Sequence, residues 1–353
     1  MNLRFRRKKE HLLLAVQGSR CSFVNCYDDI VLPHNCLTEV NPSEVDLHSD
    51  LCGYRTNAPV YINAITGGAL VSEYVNRSLA KVATSLNIPM AVGSQRAALK
   101  SPGLRFTYQV VRKCNPQGLI CANLSAQATV QQARQAVEML EAQILQLHLN
   151  PAQELIMPEG ESLTPGLIDN IADLCAALTV PVQVKEVGFG LSAPQAQTLF
   201  QAGVKTVDVS GNGGTNFALI EGRRNDGTWW KPFTRWGLPT PFCVADIKIN
   251  VPEVQVIASG GVDDGLKALK CLSLGADNVA VAGRLLRVLY RQGPQGAEGY
   301  LRSFIKQIRV GMALLGVRDI RQVQSVPLLI SGRLGQLLAA RGIDPTQYAR
   351  RGG

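Results

Sequence analysis

The sequence predicts an α/β fold, a TIM (β/α)8 barrel, and three observations carry that prediction. Short apolar runs rich in Val and Ile recur through the chain, most are followed at once by Gly, Asn or Ser, and a helix-like stretch separates each from the next. Eight such runs begin near Val60 (VYIN), Met90 (MAVG), Gly118 (GLICAN), Ile144 (ILQLHLN), Pro181 (PVQVKE), Thr206 (TVDVSG), Gln255 (QVIASGG) and Asn278 (NVAVAG). Their starts lie 30, 28, 26, 37, 25, 49 and 23 residues apart, close to what a strand, a crossover helix and two loops need. Between them, Ala133, Ala136, Val137 and Leu140 share one helical face. A doubly wound open sheet is the rival, but no Gly-x-Gly-x-x-Gly closes the first strand.

Length alone allows one barrel-sized domain or two ordinary ones, and the strand spacing favours a single barrel domain over 1–353, carrying a basic N-terminal arm (about 1–57) and an insertion after strand six (about 217–250). The insertion holds Trp229, Trp230 and Trp236, which suit a lid, an extra packed helix or a subunit contact. The longest apolar candidate for a membrane span, around 58–71, is broken by Asn63 and Thr66 and falls short of ~18 residues, so no membrane partner is expected. Arg4, Arg6, Arg7, Lys8 and Lys9 before Leu12–Val16 imitate a secretory signal, but five apolar residues are fewer than the ~7–15 a signal core needs. Nine cysteines, odd in number and never spaced Cys-x-x-Cys, suggest neither a disulfide framework nor a zinc knuckle, and the expected compartment is the cytoplasm. A net charge of +9 favours an anionic partner. Aromatic residues do not interleave with the basic run at 4–9, which argues against nucleic acid.

Barrel chemistry gathers at the C-terminal ends of the strands. Here those positions are Thr66, Ser94 to Arg96, Asn123, His148 with Asn150 and Gln153-Glu154, Lys185 with Glu186, Ser210 to Thr215, Ser259 to Gly261, and Ala282-Gly283. One polar residue at a strand end often only caps the next helix. Together they outline one concave site. The glycines after strands seven and eight fall where barrels hold a phosphate on backbone N–H groups. Lys185 places a fixed cation in the site, suited to the negative charge of a reduced flavin. Its pairing with Glu186 is disfavoured because strand alternation turns the two apart. Glu154 suits Mg²⁺ held jointly with substrate phosphates and water, or else a partner of its own helix dipole. His148 taken alone reads as a packed or capping histidine.

These segments together resemble the type 2 isopentenyl-diphosphate isomerases, FMN-dependent barrel enzymes of isoprenoid synthesis, from the first residues to about Gly283. The motifs that carry the resemblance are residues 7–11 (RKKEH), 63–68 (NAITGG), 93–96 (GSQR), Asn123-Leu124, 148–151 (HLNP) with Gln153-Glu154, 184–190 (VKEVGFG), 208–216 (DVSGNGGTN), 236–240 (WGLPT) and 259–261 (SGG). The resemblance implies FMN contacts at Ala64, Ile65, Thr66, Ser94, Asn123, Lys185, Ser210, Thr215, Gly261, Val262, Asp263, Ala282 and Gly283. It implies that Arg7, Lys8, His11, Arg96, His148, Asn150 and Gln153 surround a diphosphate substrate, that Glu154 holds Mg²⁺, and that Gln153, Glu154 and Lys185 serve catalysis. NADPH would reduce the flavin without being consumed in the isomerisation, and the chain would form a tetramer or octamer. Three positions depart from the family: Ile65 in place of methionine, Ser125 in place of glycine, and Asp263 where an arginine is common, a carboxylate that would repel the FMN phosphate.

The reaction implied is a double-bond shift from isopentenyl to dimethylallyl diphosphate, with the flavin as acid/base group in a dry site. An FMN-dependent 2-hydroxyacid oxidase on the same barrel is the first alternative, but it needs a histidine base where Asn212 stands. An IMP-dehydrogenase-like reaction needs a nucleophilic cysteine near the same loop, and none lies between Cys175 and Cys243. A basic RNA-binding scaffold would explain the charge but not the polar strand ends.

Overall fold

The computed structural model describes residues 3–18, 26–160 and 165–352, with side chains described from residue 10 onward. Eight parallel strands close into a barrel: β1 (Val60–Ile62), β2 (Met90–Ala91), β3 (Ile120–Ser125), β4 (Ile144–His148), β5 (Val182–Lys185), β6 (Thr206–Asp208), β7 (Gln255–Ala258) and β8 (Asn278–Val281). Closure comes from β8 against β1, with Val279 opposite Val60 and Val281 opposite Ile62. Each predicted run coincides with one strand, and β3 continues past its run to Ser125. Two start later than predicted, β3 at Ile120 and β5 at Val182, because Gly118 closes a turn on the Asn115 carbonyl and Pro181 has no N–H for the ladder.

The pleat sorts the side chains. Val60, Ile62, Leu145, Leu147, Val182, Val184, Val207, Val279 and Val281 point outward into the main apolar core under the helices. The other face points into the barrel, where Tyr61, Ala91, Cys121, Ile144, Ile257 and Ala280 form a small apolar floor with Leu51. Above that floor the interior is polar: Asn63, Asn123, Gln146, Gln183 and Asp208 are all buried. Their hydrogen bonds offset the cost of desolvating them.

A hairpin in the arm, Ser49–Leu51 with Tyr54–Thr56, closes the N-terminal end of the barrel. Gln255 Nε2 and Asn278 Nδ2 donate to the Asp50 carbonyl at 2.8 and 2.6 Å, anchoring it. Ile30–Val31 pairs antiparallel with Leu329–Ile330, tying the arm to the C-terminal region. The span predicted as an insertion resolves into a helix (Phe217–Gly222), a 3-10 turn (Lys231–Arg235) and the helix Thr240–Asn250. That last helix is the crossover to β7, packed on its neighbouring helices and strand, so the excess over a plain crossover ends near Pro239. Trp230 is buried against Gly222, whereas Trp229 and Trp236 are exposed around Phe233. A methyl group at position 222 would overlap the Trp230 ring. Gly222→Ala should therefore lower the unfolding free energy by about 1–3 kcal/mol in a urea titration.

Candidate active site

A cleft of about 310 Å³ opens at the C-terminal ends of the strands. It is lined by His11, Ala64, Ile65, Thr66, Ser94, Arg96, Asn123, His148, Asn150, Gln153, Glu154, Lys185, Ser210, Thr215, Gly261, Val262, Asp263, Ala282 and Gly283. These residues come from the arm, from six of the eight strand-to-helix connections and from β3, β4 and β5 themselves. The side chains of Arg7 and Lys8 lie outside the described residues.

On the strand-seven side, Gly260 and Gly261 have φ of +97° and +82°, and a methyl group on either would run into the backbone of Gly211 or Gly213. Only glycine fits this close approach of two loops. Thr240 Oγ1 lies 2.7 Å from both the Ser259 and Gly260 carbonyls and shares its one proton between them, and Tyr27 O–H donates to Gly260 O at 2.8 Å. With those carbonyls tied back, the N–H groups of Gly261 and Val262 find no acceptor among the described residues. They form a cradle suited to a phosphate. Asp263 does not stand as a bare carboxylate beside it: its Oδ1 is 2.5 Å from Lys267 Nζ. The repulsion expected from the sequence is thereby offset. Ser210, after β6, adopts φ +38°, a strained conformation for a non-glycine residue held at the edge of the cleft.

Lys185 ends β5, buried and facing the cleft, with Nζ donating to the Glu186 carbonyl. Burial pushes its pKa down, and the nearby Asp208 and Glu186 charges oppose that. The Glu186 side chain turns the other way, as alternation requires. Its Oε2 accepts from the N–H groups of Val187, Gly188, Phe189 and Gly190, while burial pushes its carboxyl up to about 7.

After β4, Pro151 opens a short helix, Pro151–Ile156, which places Gln153 and Glu154 in its first turn. Asn150 Nδ2 donates to Glu154 Oε1 at 2.9 Å, and His148 Nδ1 sits 3.0 Å from Asn123 Oδ1. Among the described residues no group of three His, Cys, Asp or Glu side chains is gathered for a metal. A single carboxylate such as Glu154 could supply only part of a cation's shell, and ligand oxygens and water would have to supply the rest.

One residue of this cluster escaped the sequence reading. Glu221, fully buried on the helix Phe217–Gly222, accepts from Gln153 Nε2 at 2.7 Å and from Arg224 Nη1 at 2.6 Å, and its Oε1 is 2.8 Å from His11 Nε2. Arg224 also reaches Glu10 and Glu159, joining the arm to the loop after β4. The available signal was a carboxylate inside the apolar run at 217–222. Burial opposes ionisation of Glu221, but the hydrogen bonds from His11, Gln153 and Arg224 prevail and hold it below its ordinary value of 4.5. A carboxyl depressed by folding binds fewer protons in the folded than in the unfolded state. Its stabilisation is complete above the ordinary value and drains as pH falls through the folded value. Thermal melts from pH 6 downward should show Glu221→Gln losing less of its own melting temperature to acid than the unsubstituted protein; parallel losses would contradict the assignment.

Asn212, at the position where an oxidase would need its base, is buried and donates from Nδ2 to the Trp236 carbonyl at 2.9 Å. All eight cysteines among the described residues are free thiols, and no helix there is long and apolar enough to cross a membrane.

Residues 108–329 match the FMN-dependent dehydrogenase family. The chain is 42% identical to an isopentenyl-diphosphate delta-isomerase of Bacillus licheniformis, with 99% of each chain covered. It is 43% identical to the protein of that name in Symbiobacterium thermophilum, again over 99% of each. In Listeria welshimeri the figure is 39%, over 99% of this chain and 98% of the relative. Among solved structures, a flavocytochrome b2 variant with pyruvate bound superposes with a TM-score of 0.69 at 20% identity, covering 93% of this chain and 84% of that one. A mandelate oxidase variant gives 0.63 at 15%, covering 90% and 92%. At such identities these two speak for the barrel alone, whereas the near full-length matches are decisive: the chain belongs to the isopentenyl-diphosphate delta-isomerase family, built on the FMN-dependent dehydrogenase barrel.

Proposed function

We propose that the chain converts isopentenyl diphosphate into dimethylallyl diphosphate, with FMN resident in the cleft. The observation that supports this most is the placement of Lys185, the glycine cradle and the Gln153-Glu154 pair on one rim. Reduced FMN supplies, when bound, an electron-rich face and an acid/base position for moving a proton between two carbons of the substrate.

The chain's own residues hold and orient. The free N–H groups of Gly261 and Val262, with Ala282-Gly283, take the FMN phosphate; Ala64, Ile65, Thr66, Ser94, Asn123, Ser210 and Thr215 enclose the rest, with Asp263 neutralised by Lys267. Lys185 presents a cation to the ring's negative edge. Arg96, His148, Asn150 and Gln153, with Arg7, Lys8 and His11 from the arm, take the diphosphate through charge-assisted hydrogen bonds. Glu154 binds Mg²⁺ together with that diphosphate. Glu221 fixes Gln153 and His11, bringing the arm over the mouth of the cleft and excluding water that would otherwise trap a tertiary cation. NADPH acts only as the reductant of FMN. The setting is the cytoplasm, and the exposed Trp229, Phe233 and Trp236 offer an apolar surface for homo-oligomer contacts in a tetramer or octamer.

The test is anaerobic. Protein given FMN, NADPH, Mg²⁺ and isopentenyl diphosphate in heavy water should yield deuterated dimethylallyl diphosphate by NMR. No allylic product and no deuterium uptake would defeat the proposal, and lactate-dependent oxygen consumption in a separate aerobic assay would favour the oxidase instead.

A further inference from the structure

Asp208 ends β6 inside the barrel and is fully buried. Its Oδ2 accepts from Tyr61 O–H at 3.2 Å and Asn63 Nδ2 at 2.7 Å, and its Oδ1 from Ser259 Oγ at 2.5 Å and Ser210 N–H at 3.1 Å. All four donors are neutral. They satisfy the carboxylate's lone pairs without cancelling its charge.

The cation that faces it is Lys185. The two are register partners on neighbouring strands β5 and β6, so their side chains leave the sheet on the same side. Glu186 is turned outward onto its own four amides. A buried charge without a counter-charge is strongly unfavourable, and a neutral side chain of the same size would avoid that cost. Further hydrogen bonds extend from Tyr61 through Gln146 and Asn123 to His148, so the carboxylate sits in a braced lattice with little freedom to move away.

We infer that Asp208 is a positioning residue for the flavin chemistry, a fixed counter-charge that holds the Lys185 side chain at the cofactor site. The inference rests on the FMN reading above. Lys185 does the work on the ring, and Asp208 acts through it.

The midpoint potential of the FMN-loaded protein near neutral pH, measured against redox dyes, tests this. Asp208→Asn and Lys185→Gln should both lower the potential, each weakening the preference for reduced over oxidised FMN by roughly tenfold or more. The double variant should be no lower than Lys185→Gln alone. Tyr61→Phe, which removes one donor and keeps the barrel closed should Asp208→Asn fail to fold, should shift the potential in the same direction by less. A raised or unchanged potential in Asp208→Asn, a rise in Tyr61→Phe, or additive shifts in the double variant would overturn the inference. Unsubstituted protein that binds no FMN would overturn the functional reading itself, so the two failures are distinguishable.

Discussion

Glu154→Gln should abolish magnesium-dependent turnover while leaving FMN bound. The substitution keeps side-chain shape and the hydrogen bond available from Asn150, but it removes the negative charge that a small hard cation requires. A cation bridging carboxylate and diphosphate contributes several kcal/mol, which corresponds to a loss of about 10³-fold in kcat/KM. FMN fluorescence quenching should titrate as before, because the cradle of Gly261 and Val262 lies on a different connection from the helix Pro151–Ile156. Turnover that keeps its magnesium dependence would remove Glu154 from the metal. Loss of both flavin and turnover would mark it as structural.

Gly260→Ala should give protein that neither holds FMN nor survives moderate denaturant. The added methyl group meets the carbonyl and amide of Gly211, and the residue must also keep φ near +97°. Backbone cannot move aside as a flexible side chain would, and the penalty for an L-residue there adds about 1–2 kcal/mol to the overlap. The expected loss is at least about 3 kcal/mol of unfolding free energy, read from denaturant midpoints of the apo-protein, with no flavin absorbance after gel filtration. Gly103→Ala is the control: its methyl group would meet nothing, and stability should be unchanged within about 0.5 kcal/mol.

How far these features are legible in the sequence depends on their range. The eight barrel strands announce themselves because each is a local pattern, an apolar run closed by a polar or glycine residue at its functional end. The same locality makes Lys185, Gln153 and the glycine loops readable. Pairings of two or three residues across long separations have no local signature, so Ile30–Val31 against Leu329–Ile330 and the hairpin at 49–56 went unforeseen. Glu221 was missed because its meaning depends on His11, Gln153 and Arg224, which come from three separate parts of the chain. Thr240–Asn250 was absorbed into the predicted insertion because the residues before it lengthen the connection without marking where the crossover helix begins. Asp263 reads as a liability until Lys267, one turn along, is seen beside it.

The hydrogen-bonded centre of the barrel inverts the usual distribution of mutational robustness. An aliphatic layer loses stability by degrees, a methylene at a time, and repacks around the gap. A lattice of amides, phenol and carboxylate fails by whole partners, because exchanging Gln146 for leucine would leave Asn123 Nδ2 without its acceptor and take a donor from Tyr61 and Asn63. Each orphaned group costs about 1–3 kcal/mol. Selection screens of this chain should therefore find the jacket of valines between strands and helices permissive and the axial amides nearly immutable.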